Sequence, residues 1–118
     1  MTYVMLQYDR PTDTQHWNEY NRRVRDWIAQ LLQTPGAVSF VAYRAAHQNS
    51  PDTFTLLEFR TMDEARQAAA SEPMKHVLDK LRSVGATTKV LLLERSPFTP
   101  EPILAGIQDS ETDPATPV

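Results

Sequence analysis

The chain has 118 residues, which suits one domain, because a core of ordinary size takes roughly 100 to 150 residues, and its 41% hydrophobic content suffices to fill one. A net charge of -3 sets it against a nucleic-acid partner, since phosphate binding needs a basic surface. With no cysteine, disulfides, thiolate metal sites and a cysteine nucleophile are excluded, which fits a reducing cytoplasm.

The first ten residues lack the basic start and apolar run of a signal peptide, and no stretch approaches the roughly 20 apolar residues of a membrane span. A cytoplasmic protein with no membrane partner is therefore expected. Tyr3 to Tyr8 is apolar but for Gln7 and reads as a strand buried on both faces, ended by Pro11. Thr12, Asp13 and Thr14 offer N-cap oxygens for a long helix. In it Trp17, Tyr20, Val24, Trp27, Ile28, Leu31 and Leu32 recur at steps of one, three and four against a charged opposite side. Thr34-Pro35-Gly36 terminates that helix.

Ala37 to Ala45 alternates as a second strand, with Val38, Phe40 and Ala42 on one face and Ser39, Val41 and Tyr43 on the other. After the polar break 47–52, Thr53 to Arg60 resumes with Phe54, Leu56 and Glu58 on one side and Thr55, Leu57 and Phe59 on the other. A second helical region opens at Thr61-Met62-Asp63 and is expected to kink or restart at Ser71-Glu72-Pro73, because proline suits a first helical turn. Gly85 stops it, and Thr87 to Glu94 is the fourth strand. The rest is rich in proline. Residues 1–96 are expected to form the domain and 97–118 a partly disordered extension, with Phe98, Ile103, Leu104 and Ile107 as anchors for its first half.

Strand, helix, strand, strand, helix, strand is the ferredoxin-like β-α-β-β-α-β order, an α+β fold with two helices on one face of a four-stranded antiparallel sheet. These strands carry apolar side chains on both faces, so the uncovered face needs a partner. A second copy supplies it most economically, and a homodimer is expected.

With that order, the Pro11 to Trp17 helix entry, the Thr34-Pro35-Gly36 turn into Ala37-Val38-Ser39-Phe40, and the run Glu58-Phe59-Arg60-Thr61-Met62-Asp63-Glu64-Ala65, the chain resembles the dimeric α+β barrel superfamily. Within it, the chain is similar to the antibiotic biosynthesis monooxygenases over about residues 2 to 96. The resemblance implies a cofactor-independent oxygenase or isomerase of a small aromatic, quinol or polyketide-like substrate. The alternative is a non-catalytic dimeric small-molecule-binding or stress-response protein. Haem-degrading members depend on an Asn in the first strand and a Trp and a His in the second helix. Here Gln7 is nearest to the Asn, and Ala68 and Leu78 stand near the other two positions. His76, two residues from 78, lies about 200° around a helix from it. No cofactor is expected.

His16, His47 and His76 have no metal-ligand spacing, and no metal is expected. His16, Tyr20, Arg23 and Trp27 form one flank of the first helix that could border a pocket. Glu58, acidic within an apolar strand, would need partners such as Arg44 or Arg95. No catalytic residue stands out. The candidate substrate-binding residues are Gln7, Trp17, Tyr20, Tyr43 and His76, around a small aromatic ligand.

Overall fold

The computed structural model describes residues 1–46 and 49–106. In chain order the elements are β1 (Thr2–Tyr8), α1 (Thr14–Leu32), β2 (Ser39–Arg44), β3 (Thr53–Phe59), α2 (Met62–Ala69), α3 (Glu72–Ser83) and β4 (Thr88–Glu94). The strands form one antiparallel sheet in the order β2-β3-β1-β4. This is the ferredoxin-like α+β arrangement, with the second helical region divided in two.

Local chemistry explains the boundaries. Asp13 caps α1 by accepting the His16 N–H at 3.0 Å. Ala70 ends α2, and Ser71 then starts α3: its hydroxyl accepts the Met74 N–H at 3.3 Å and donates to the Ala68 carbonyl at 2.7 Å. Pro73 sits in the first turn of α3, where its missing N–H costs nothing.

Two-residue periodicity divides the two central strands cleanly. Thr2, Val4, Leu6 and Tyr8 of β1 and Thr53, Thr55, Leu57 and Phe59 of β3 are buried beneath the helices. They meet Ala65 and Ala68 of α2, Met74, Val77, Leu78 and Leu81 of α3, and Tyr20, Trp27 and Leu31 of α1 in one core. β1 was expected to be buried on both faces, but its alternate residues Tyr3, Met5 and Gln7 are only half-buried, because all three helices lie on the other side.

The opposite face has its own order. The register sets Val41, Leu56, Met5 and Leu91 side by side across the four strands. Flanking rows run Tyr43, Phe54, Gln7, Lys89 and Ser39, Glu58, Tyr3, Leu93. Glu58 therefore faces away from the helices and accepts the Ser39 hydroxyl at 2.7 Å. Arg44 is not its partner: it pairs with Thr53 at the far end of the strands and points to the helix face.

Gly36 makes the turn between α1 and β2 with φ at +86°, and a Cβ there would lie 2.9 Å from Cδ of Glu64. A Gly36→Ala change is expected to lower stability by about 1–2 kcal/mol from the left-handed backbone alone, measured by urea melts. Beyond β4 the described part of the extension has no strand or helix, and Phe98, Ile103 and Leu104 are 89%, 80% and 62% exposed. Among the described residues these three side chains are not anchored on the domain. Ile107 and the expected disordered tail lie outside the described residues.

Candidate functional site

Helix α1 crosses the β2–β3 half of the sheet, where the side chains beneath it are small: Ala42, Thr53 and Thr55. Larger residues at those places would close the gap. Instead a cavity of about 200 Å³ remains. Its apolar walls come from Leu6 and Phe40 below, Val24, Trp27 and Ile28 of α1 above, and Val77 and Leu81 of α3 behind.

One end of this cavity is polar. On the helix face, Arg44, Thr53, Tyr8 and Thr88 form a single row across the four strands. Arg10, Asn21 and Tyr20 join that end. The Tyr8 and Tyr20 hydroxyls lie 2.7 Å apart, with the two side chains 4% and 6% exposed. One phenol donates to the other, so the pair retains one proton not used between them. The rings meet edge-on at 6.2 Å; Trp17 stacks on Tyr20 at 5.9 Å, and Trp27 meets it edge-on at 6.1 Å. This aromatic ladder fixes Tyr20 in place.

Burial raises the pKa of both phenols above the ordinary 10.0, and the mutual hydrogen bond raises that of Tyr8 further. The folded chain thus keeps both protons where the unfolded chain begins to lose them. Their contribution to stability is complete below about pH 10 and declines as pH rises above it. Urea melts between about pH 9 and 11 should show this decline, and it should be flatter in a Tyr8→Phe/Tyr20→Phe double variant. At neutral pH, either single change strands a hydroxyl and should cost about 1 kcal/mol, with the double variant costing less than the sum.

Arg10 is held by Asp52, its guanidinium 3.3 Å and its backbone N–H 3.1 Å from Oδ1. Burial pushes the Asp52 carboxyl up, but hydrogen bonds from Thr53 Oγ1 and Arg10 outweigh it and hold the pKa below the usual range. That pair joins the end of β1 to the start of β3 beside the cavity.

Of the five residues expected to bind substrate, Tyr20 lines the cavity and half-buried Trp17 supports it. Gln7 and Tyr43 share a row on the opposite sheet face, with Tyr43 57% exposed and the Gln7 amide 3.4 Å from the Met5 sulfur. His76 is exposed on the outer side of α3, beside Gln30, Gln33 and Pro73. His16 turns to Asp13, its Nδ1 2.8 Å from Oδ1, while Arg23 pairs with Glu19 at 2.6 Å. Sequence reasoning missed Tyr8, Arg10, Asn21 and Arg44. Parity along β1 was the available signal for Tyr8, which continues the inward series Thr2, Val4, Leu6.

Among the described residues no three His, Asp or Glu side chains group so as to hold a metal ion, and no helix is long and apolar enough to cross a membrane. The positions near which haem-degrading relatives keep their Trp and His, Ala68 and Leu78, are buried in the core.

No family model and no curated protein matches the sequence. Solved structures do. A Deinococcus radiodurans protein assigned to the antibiotic biosynthesis monooxygenases superposes with a TM-score of 0.64 at 11% identity, over 88% of this chain and 97% of that one. An ethyl tert-butyl ether degradation (EthD) family protein from Bacillus halodurans gives 0.63 at 15% identity, over 81% and 99%. SnoaB, a cofactor-independent oxygenase from Streptomyces nogalater, gives 0.60 at 16% identity, over 85% and 98%. The class defined by this likeness is one of fold: a ferredoxin-like α+β fold with one four-stranded antiparallel sheet. More narrowly, the chain has the fold of the antibiotic biosynthesis monooxygenase-like proteins.

Proposed function

We propose that the chain is a cofactor-independent oxygenase, or a related isomerase, acting on a small aromatic, quinol or polyketide-like molecule in the cavity beneath α1. The observation that carries this reading is an apolar cavity whose wall contains a buried pair of protonated phenols. Likeness in fold to a cofactor-independent oxygenase supports it.

Among the described residues no carboxylate or imidazole lines the cavity, so the substrate's own acidity must provide the carbanion. A methylene carbon beside a carbonyl loses its proton to solvent, and the carbanion gives its electrons to dioxygen, forming a C–O bond and a peroxide anion. The unspent phenolic O–H of the Tyr8–Tyr20 pair hydrogen-bonds to that anion and protonates it, and the phenol regains its proton from solvent, which received the one the substrate released. Loss of water then leaves a ketone, so CH₂ plus O₂ becomes C=O plus H₂O. The apolar walls shield the intermediate from water in part.

Oxygen uptake with a panel of quinols and enolisable polycyclic ketones tests this, with an expected one O₂ consumed per ketone formed. Tyr8→Phe/Tyr20→Phe, which removes both hydroxyls, should lower turnover about 100-fold. Rates should follow the ionisation of the substrate rather than that of a protein group. The missing carboxylate and imidazole equally favour a binding protein without catalysis, and ligand binding without oxygen uptake would establish that reading instead.

The proposal includes a homodimer working in the cytoplasm, with residues 1–96 as its domain and 97–118 as an extension. Supporting the dimer is the unpartnered sheet face, whose central row, Val41, Leu56, Met5 and Leu91, is wholly apolar. In such a dimer Gln7 and Tyr43 would serve the interface, while Tyr20 and Trp17 serve the ligand. His76 would serve neither.

A further inference from the structure

The polar end of the cavity contains two guanidinium groups in different states. Arg10 is committed, because Asp52 binds both its side chain and its backbone N–H. Arg44 is not: among the described residues no carboxylate lies within 4 Å of its guanidinium. It is the last residue of β2 and exposed, yet it lines the cavity beside Thr53 and one strand from Tyr8. The other end of the cavity is formed by Trp27, Ile28, Leu31 and Phe40 and offers no charge.

From this asymmetry we infer that Arg44 is a specificity-determining residue that selects ligands bearing a carboxylate on an apolar ring system. The ring fills the apolar end and the carboxylate meets the guanidinium at the mouth. A planar guanidinium fork matches a carboxylate with two parallel hydrogen bonds, and one unpaired cation balances one such charge. The carboxylate is separate from the reacting carbon and stays charged throughout the reaction. Charge at Arg44 also lowers the pKa of Tyr20, against the larger effect of burial, so its field reaches the phenol pair.

This inference rests on the cavity being a binding site, and the test separates the two. Titration calorimetry of the full chain would compare 2-naphthoate with 2-naphthamide, which has the same ring and no charge. The acid should bind about tenfold or more tightly than the amide, and Arg44→Gln should abolish that difference, weakening the acid far more than the amide. Arg44→Lys should restore part of the preference. Equal affinity for acid and amide in the unaltered chain would overturn the role of Arg44 but not the cavity as a site. Persistence of the preference in Arg44→Gln would do the same. If neither compound binds, both readings fail. Circular dichroism of Arg44→Gln should match the unaltered chain, because the residue is exposed at a strand end.

Discussion

A Leu56→Arg variant is expected to behave as a monomer in light scattering at micromolar concentration, where the unaltered chain behaves as a dimer. Leu56 stands between Val41 and Met5 in the apolar row of the uncovered sheet face. In the proposed homodimer a twofold axis would set that face against its own copy, so one substitution would introduce two cations into the same contact. Each would be buried in the contact at a cost of a few kcal/mol, offset only in part by Glu58 two residues along the same face, and association should weaken by about a hundredfold or more. The fold of each subunit should survive, since Leu56 takes no part in the core beneath the helices. A dimer that persists in this variant would show that another surface mediates assembly.

Phe59→Ala is expected to have the largest effect on stability, about 3–5 kcal/mol. Phe59 ends β3 with 0% exposure, within the core that includes Ala65 and Ala68 of α2. Two small alanines on the covering helix bring it close to the sheet, and they cannot expand to fill the space a phenyl ring leaves. Of a typical folding stability of about 5–15 kcal/mol this is a large share, and the melting temperature should fall by roughly 12 °C or more. Val24→Ala provides the contrast. Its side chain borders the cavity and already lacks neighbours on one side, so the loss should be about 1 kcal/mol. A loss at Phe59 no greater than that at Val24 would mean that the sheet and α2 do not enclose a tight core.

Elements whose periodicity is strong were legible in the sequence. The α1 stripe through Tyr20, Trp27 and Leu31, the alternation in β3, and the restart at Ser71 and Pro73 all appear in the structure, because local sterics and burial act on them together, whereas β2, at the sheet edge, is exposed at nearly every position. The cavity was not legible, because it arises from what is small. Ala42, Thr53 and Thr55 look unremarkable in isolation, and they become a floor only when β2, β3 and α1 are brought together. Tyr43 has the chemistry of a cavity residue but the wrong strand parity. His76 lies on the outer side of a helix whose inward positions are Met74, Val77, Leu78 and Leu81. The Glu58–Arg44 pairing failed for the same reason of parity.

That parity ties two properties of the molecule together. Along β2, Phe40, Ala42 and Arg44 line the cavity while Ser39, Val41 and Tyr43 belong to the bare face. Inserting or deleting one residue within this six-residue strand would exchange the two sets at a stroke. The proposed ligand choice and self-recognition could therefore each change by substitution at their own alternate positions, but neither could change by a shift in the frame of the strand. Length variation should be confined to the connections on either side.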